Sequence, residues 1–267
     1  MIKRFSLIAF CIILTIASCK KKDSGIKPEE ILTTLDRVNI DDQFEAFLEY
    51  DKKDRLVRYS RGSEEEYFEY NDKNEVVKVT EINSFASPSF NSSTTTIFYK
   101  NGLPFSGSRI DNPPYSKSPN HEYYVDSVSY KVVSNAVTEI KYFDRKSYNY
   151  YTRELVRSST DTLGRYVFSY VNKNLVSETL VGDNTIKYTY GSKKGILSAK
   201  KLPFVLYGSA LPVLYAENEL LTTEDKVETR TYNYTYNQAD FPVSAKVVVT
   251  YKADYAPMSY NQSFIYK

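Results

Sequence analysis

The sequence predicts an all-β protein, a long antiparallel meander of repeated hairpins. Three observations carry this reading. The stretch "FLEYDKKDRLVRYSR", from Phe47, returns from Tyr67 as "YFEYNDKNEVVKVTE". Both copies alternate apolar and charged residues with the two-residue period of a strand that has one buried and one wet face. The chain also holds 26 tyrosines and no tryptophan, an aromatic supply that suits half-buried strands.

The chain opens with "MIKRFSLIAFCIILTIASCKKKD". Lys3 and Arg4 form a basic head, and Phe5 to Ile16 is an apolar run too short to cross a bilayer as a helix. Ala17 and Ser18 then precede Cys19, so residues 1–18 read as an export signal. Ile16-Ala17-Ser18-Cys19 resembles the lipobox of bacterial lipoproteins, which implies that the Cys19 thiol carries a lipid and becomes the new N-terminus. Residues 19–25 then form a tether, with Lys20, Lys21 and Lys22 placed to meet anionic headgroups. Residues 26–267 read as a single β-rich domain.

The two cysteines, Cys11 and Cys19, both lie in this leader region, so the mature domain is expected to fold without a disulfide. Once Lys3 and Arg4 leave with the signal, basic and acidic residues balance at 33 each. No basic stripe remains for nucleic acid.

Within the domain, "KPEEILTTLDRV" has Pro28 and two glutamates at its start, then Ile31, Leu32 and Leu35 on one side. It allows at most one short N-terminal helix. The first hairpins follow. With Tyr50 opposite Val57, Glu49 faces Arg58 and Leu48 faces Tyr59; the same register sets Glu69 against Lys78 and Phe68 against Val79. Opposite charges meet on one face and apolar groups on the other. Asp54, Asn74 and Asn174 stand where the intervening loops need a left-handed backbone. Further copies centre on Tyr99, Tyr170, Tyr190 and Tyr236, and Ser134-Asn135 is a turn candidate. "SFASPSFNSSTT" and "SGSRIDNPPYSKSPNH" read as long loops. The apolar stretch from Leu202 to Leu221 lacks alternation and is placed either to cover an end of the sheet or to form a ligand-facing lip. The sheet is expected as an open curved surface or a partly closed barrel.

The opening of "EYDKKDRLVRY" resembles the tyrosine–aspartate repeats of bacterial surface proteins. "LPFVLYGSALPVL", then "ENELLTT", then "RTYNYTYNQADFPVSAKVVVTY" resembles a group of Bacteroidetes lipoproteins of unknown function with a porin-like, tyrosine-rich antiparallel fold. Asp240-Phe241-Pro242 stands where those proteins carry an Asp-Gly-Tyr-Pro turn, without the glycine. The resemblance implies a fold and an envelope location, and no catalytic residues.

Chemistry is sparse. His121 is the single histidine and lacks the partners of a metal site, so neither a metal nor another cofactor is implied. Glu64, Glu65 and Glu66 form a charge run that reads as a solvated edge. Tyr148, Tyr150 and Tyr151 are candidates for a face that stacks on a ligand. Asp126-Ser127-Val128 and Asp161-Thr162-Leu163 resemble the Bacteroidetes O-glycosylation acceptor, with Ser127 and Thr162 as the modified residues. The expectation is a lipid-anchored protein of the bacterial envelope, at the outer membrane with its facing side open. It would act as a non-enzymatic binding or scaffold module for a glycan or protein ligand. A carrier of hydrophobic ligand in a half-barrel is the alternative, and a carboxylate-based glycosidase the third.

Overall fold

The computed structural model describes residues 34–41, 43–83, 91–112, 122–198 and 216–267. They belong to a compact unit spanning Leu32–Lys267. In chain order the first strands are β1 (Leu35–Ile40), β2 (Gln43–Tyr50), β3 (Leu56–Arg61), β4 (Glu64–Tyr70), β5 (Val76–Asn83) and β6 (Asn91–Lys100). There follow β7 (Leu103–Asn112), β8 (Glu122–Val133), β9 (Ala136–Asn149), β10 (Leu155–Ser158), β11 (Thr162–Val171) and β12 (Asn174–Leu180). The last are β13 (Asn184–Lys194), β14 (Asn218–Glu224), β15 (Glu228–Tyr236), β16 (Pro242–Tyr251) and β17 (Met258–Tyr266).

All pairings are antiparallel, and β1 pairs with both β2 and β17, so the sheet closes on itself. β10 and β11 lie end to end against β9 and act as one stave, which makes a ring of 16. Of the two expected forms, an open curved sheet and a partly closed barrel, the structure takes the barrel and closes it fully. Leu35 to Val38, read as part of a short helix, belong to β1; the earlier part of that stretch, with Cys19 and His121, lies outside the described residues.

The hairpin register holds where charges meet. Glu49 faces Arg58 and Leu48 faces Tyr59, while Glu69 faces Lys78 and Phe68 faces Val79. Leu48 and Phe68 are 2% and 3% exposed; the Glu49 and Glu69 side chains are 57% and 61% exposed. Tyr50, however, pairs with Leu56 rather than Val57, because Val57 is an extra residue in the strand, a β-bulge. The same shift puts Tyr70 opposite Val76, Tyr99 opposite Pro104, Tyr170 opposite Leu175 and Tyr236 opposite Pro242.

The loops explain the bulge. In Asp51–Arg55 the Asp51 carboxylate accepts from the backbone N–H groups of Lys53 and Arg55, and Asp54 is left-handed at φ 60°. Asn71 does the same for Lys73 and Glu75, with Asn74 at φ 63°. Asn237 repeats it for Ala239 and Phe241, with Asp240 at φ 64°. Asn174 does not need a left-handed backbone; that turn is made by Asn172 and Lys173, and Asn174 begins β12. Ser134 and Asn135 form the expected turn between β8 and β9. The copy at Tyr190 is not a hairpin: β13 runs on to Lys194, and a long connection leads to β14.

Inward and outward positions differ sharply in chemistry. Outward groups include charges and hydroxyls, such as the Arg58–Glu49 and Lys78–Glu69 pairs at 2.8 and 2.7 Å, interspersed with exposed apolar side chains such as Phe47, Phe98 and Ile110. Thr189 faces Thr222 and Thr235 faces Ser244 across hydroxyl contacts of 2.6 and 2.7 Å. Inward groups at the loop end are apolar and aromatic. Leu48, Tyr59, Phe68, Val79, Val247 and Phe264 belong to one buried cluster, and Ile140, Phe168, Leu175 and Tyr188 to a second. Tyr130 and Tyr232 pack against both. A ring this wide can enclose a water channel; here the wall's own side chains pack across it at this end. Gly107 helps: an added Cβ would stand 2.5 Å from the Thr96 carbonyl, and the Tyr130 ring lies over that position.

The strand-end tyrosines fix this layer. Tyr70 donates its hydroxyl to the Leu56 carbonyl at 2.8 Å, Tyr99 to Val76 at 2.7 Å and Tyr190 to Leu175 at 2.7 Å. Each serves a carbonyl at the start of a preceding strand, where the bulge interrupts the ladder. Leu197, fully buried in the first cluster, and Leu220 in the second flank residues 199–215 at this end; most of the Leu202–Leu221 segment lies outside the described residues.

Candidate functional site

The opposite end of the lumen is polar, and the same alternation builds it. On β4, Phe68 points inward, so Glu66 and Glu64 do too, while Glu65 points out. Register then carries the inward row from Glu66 to Glu81 on β5, Ser93 on β6 and Asp111 on β7. One step nearer the tyrosine layer, Thr95, Arg109 and Asp126 form a second row.

These groups are tied to one another. Ser93 donates its hydroxyl to Glu81 Oε2, and Arg109 Nη2 lies 3.3 Å from the same oxygen. The Arg109 guanidinium sits over the Tyr142 ring, 5.6 Å from its centroid. Asp126, almost fully buried, takes a two-point contact from Arg145 at 2.8 and 2.7 Å. Arg145 in turn lies over Tyr124 at 4.9 Å. Ser147, inward on β9, donates to Glu122. Across the lumen Arg230 pairs with Glu228 at 2.5 Å.

Neighbouring glutamates show the electrostatics. Glu65, on the outer wall, accepts from the Tyr67 hydroxyl and the Arg58 guanidinium, which hold its carboxyl below the usual range. Glu66 is 9% exposed, its Oε2 has no hydrogen-bond partner, and burial with Glu81 and Glu64 nearby pushes its pKa up to about 8. A carboxyl in that environment holds a proton at neutral pH and can donate as well as accept. Glu178, inward on β12, is also raised by burial, opposed by the Tyr188 hydroxyl. No group of three or more metal-ligating side chains occurs among the described residues.

The charge run at Glu64–Glu66 is thus split: Glu64 at the strand end is exposed as expected, Glu65 is half-buried on the outer wall, and Glu66 is interior because it lies two residues before Phe68. Tyr148, Tyr150 and Tyr151 do gather, but outside the barrel. Tyr148 stacks on Tyr123 at 5.3 Å, Tyr150 meets Tyr151 edge-on at 5.6 Å, and Arg153 lies over both Tyr123 and Tyr150. Ser127 sits inside β8 with partners on both sides, and Thr162 begins β11 in an exposed position. Ser93, Glu81 and Arg109 were not singled out from sequence, and Asp126 entered only as the residue before Ser127. Their signal is a polar residue at an inward position of an otherwise alternating strand.

Two solved structures are similar to this chain: a porin-like protein from Bacteroides uniformis, with 13% identity and a TM-score of 0.38, and a porin-like protein from Bacteroides vulgatus, with 12% identity and a TM-score of 0.44. Each likeness covers 88% of this chain and 99% of the other. No family model and no curated protein matches the chain. The lipoprotein and tyrosine–aspartate-repeat parts of the expected resemblance have no counterpart in these comparisons.

Proposed function

We propose that this chain is a lipid-anchored protein of the bacterial envelope, held through Cys19, whose barrel stands in water and binds a glycan at the polar end of its lumen without enzymatic action. The observation that carries the reading is the inward polar row from Glu66 through Glu81, Ser93 and Arg109 to Asp126 and Arg145. It alternates donors and acceptors beside the Tyr142 and Tyr124 rings, as sites for polyhydroxylated ligands do. Six adjacent strands, β4 to β9, at the usual spacing make a strip roughly 24 Å long, enough for several sugar units. The ion pairs Arg58–Glu49 and Lys78–Glu69 on the outer wall support a water-facing barrel, because they would interrupt the apolar band that a lipid-facing one needs. An envelope position is supported by the leader residues alone.

The test is retention on a panel of immobilised polysaccharides. Arg109→Ala and Ser93→Ala are expected to weaken the retained pair at least tenfold, and Tyr148→Ala, on the outer wall, to leave it unchanged. Loss with Tyr148→Ala alone would move the site to the exterior aromatic patch. Turnover of a chromogenic glycoside that disappears in Glu66→Gln would favour carboxylate chemistry between Glu66 and Glu81, which face each other across β4 and β5.

A further inference from the structure

We infer that the seat around Glu66 takes a primary ammonium group, so that the glycan it binds carries free amino groups. The inference rests on the glycan reading and narrows it. It follows from which charges in the lumen are already answered. Asp126 has Arg145, Glu81 has Arg109 and Ser93, and Glu228 has Arg230. Glu66 has no cation among its described partners.

The groups that face Glu66 can be named from each neighbouring strand. Glu64 lies on its own strand and Glu81 opposite on β5, both of the same sign. On β3, Tyr59 stands opposite Glu66, and Arg61 is engaged with the Tyr59 hydroxyl and lies beside Tyr232 across the lumen. Arg109, further along the wall, is held on Glu81 and Tyr142. Among the described residues, the charged groups that act on Glu66 are the acids Glu81 and Glu64, and no cation pairs with it.

A buried carboxyl in this position takes up a proton, which removes the charge but leaves Oε2 without a partner. An ammonium supplies what is missing. It brings a positive charge between Glu66 and Glu81, donates to the open oxygen, and presents its alkyl side to the buried Tyr59 and Phe68 rings. Water already reaches the approach, since the Arg109 and Glu81 side chains are 23% and 28% exposed. Binding then exchanges ions in a balanced way: the ammonium enters with its charge, Glu66 becomes a carboxylate, and its proton leaves to solvent.

Calorimetric titration of the purified full-length chain with three tetrasaccharides tests this: a glucosamine tetramer, its N-acetylated counterpart and cellotetraose, all at pH 6.5. The glucosamine tetramer is expected to bind at least tenfold more tightly than the other two. Its heat is expected to change with the ionisation enthalpy of the buffer, showing about one proton released per chain. Glu66→Gln is expected to abolish both the preference and the proton release, and Tyr148→Ala to retain both. The wild-type proton count stands without the variant, should Glu66→Gln fold poorly. Equal affinity for the amino and acetylated tetramers, or tight binding without proton release, would overturn the ammonium inference and leave glycan binding in place. Failure of all three to bind would overturn both.

Discussion

Glu65 and Glu66 are neighbours in sequence with opposite fates, and a single backbone step decides which. Glu65 meets a guanidinium and a phenol on the half-exposed outer wall; Glu66 turns inward, where the charged groups that act on it are the acids Glu81 and Glu64. The folded chain therefore binds the Glu66 proton more tightly than the unfolded chain, with a pKa of about 8 against 4.5. Between those values the native state keeps a proton that the unfolded state has released, so stability falls as pH rises through the window. Urea unfolding is expected to show the wild type losing on the order of 4 kcal/mol between pH 5 and pH 9 through this group. Glu66→Gln should lose much less over the same range, and parallel curves for the two proteins would contradict the assignment.

At the scale of the element, the repeated unit is a strand ending in tyrosine, an Asx-type loop, and a bulged return strand. The left-handed position in that loop makes a direct prediction. Asp54→Ala should cost about 1 kcal/mol in denaturant unfolding, while Asp54→Gly should stay within a few tenths. Equal effects would mean that the carboxylate, and not the backbone, is what the loop needs. These hairpins were legible because Leu48, Tyr59, Phe68 and Val79 alternate with Glu49, Arg58, Glu69 and Lys78. The bulge was not, since nothing in the residue pattern of "DRLVRY" marks Val57 as extra; the tyrosine hydroxyl and the loop geometry choose it.

The strands that escaped the sequence reading share one cause. Asn91–Thr95 and Ser106–Asn112 read as loops, yet they belong to β6 and β7. Their inward positions are Ser93, Thr95, Arg109 and Asp111, so an inside/outside alternation of polarity is absent. The pattern fails where the lumen is polar, and that is where the candidate site lies. Glu66 was quoted as part of a charge run, but its burial depends on the register of β4 with β5, which only the paired strands reveal.

At the scale of the whole molecule, apolar groups line the tyrosine end of the interior, while ion pairs and hydroxyls stand among scattered apolar side chains on the outside. Closure by β1 is what removes the sheet's edges. A chain lacking residues 35–40 exposes the partners of β1 on β2 and β17, and is expected to run as larger assemblies in light scattering. Adding a peptide of residues 34–41 should reverse this; unchanged mass in the deleted chain would contradict closure.

The seam has a consequence in time. Asp41 receives the backbone N–H of Asn261, 220 positions away, and Thr34 and Lys267 bond to each other through their backbones at 3.3 and 2.8 Å. The earliest stave to leave the ribosome thus waits for the latest, and zipping the wall shut is the slow, concluding event of its biogenesis. Throughout that interval the nascent curtain needs a guardian, or charged sentries such as Asp36 and Arg37, to keep strangers from its hem.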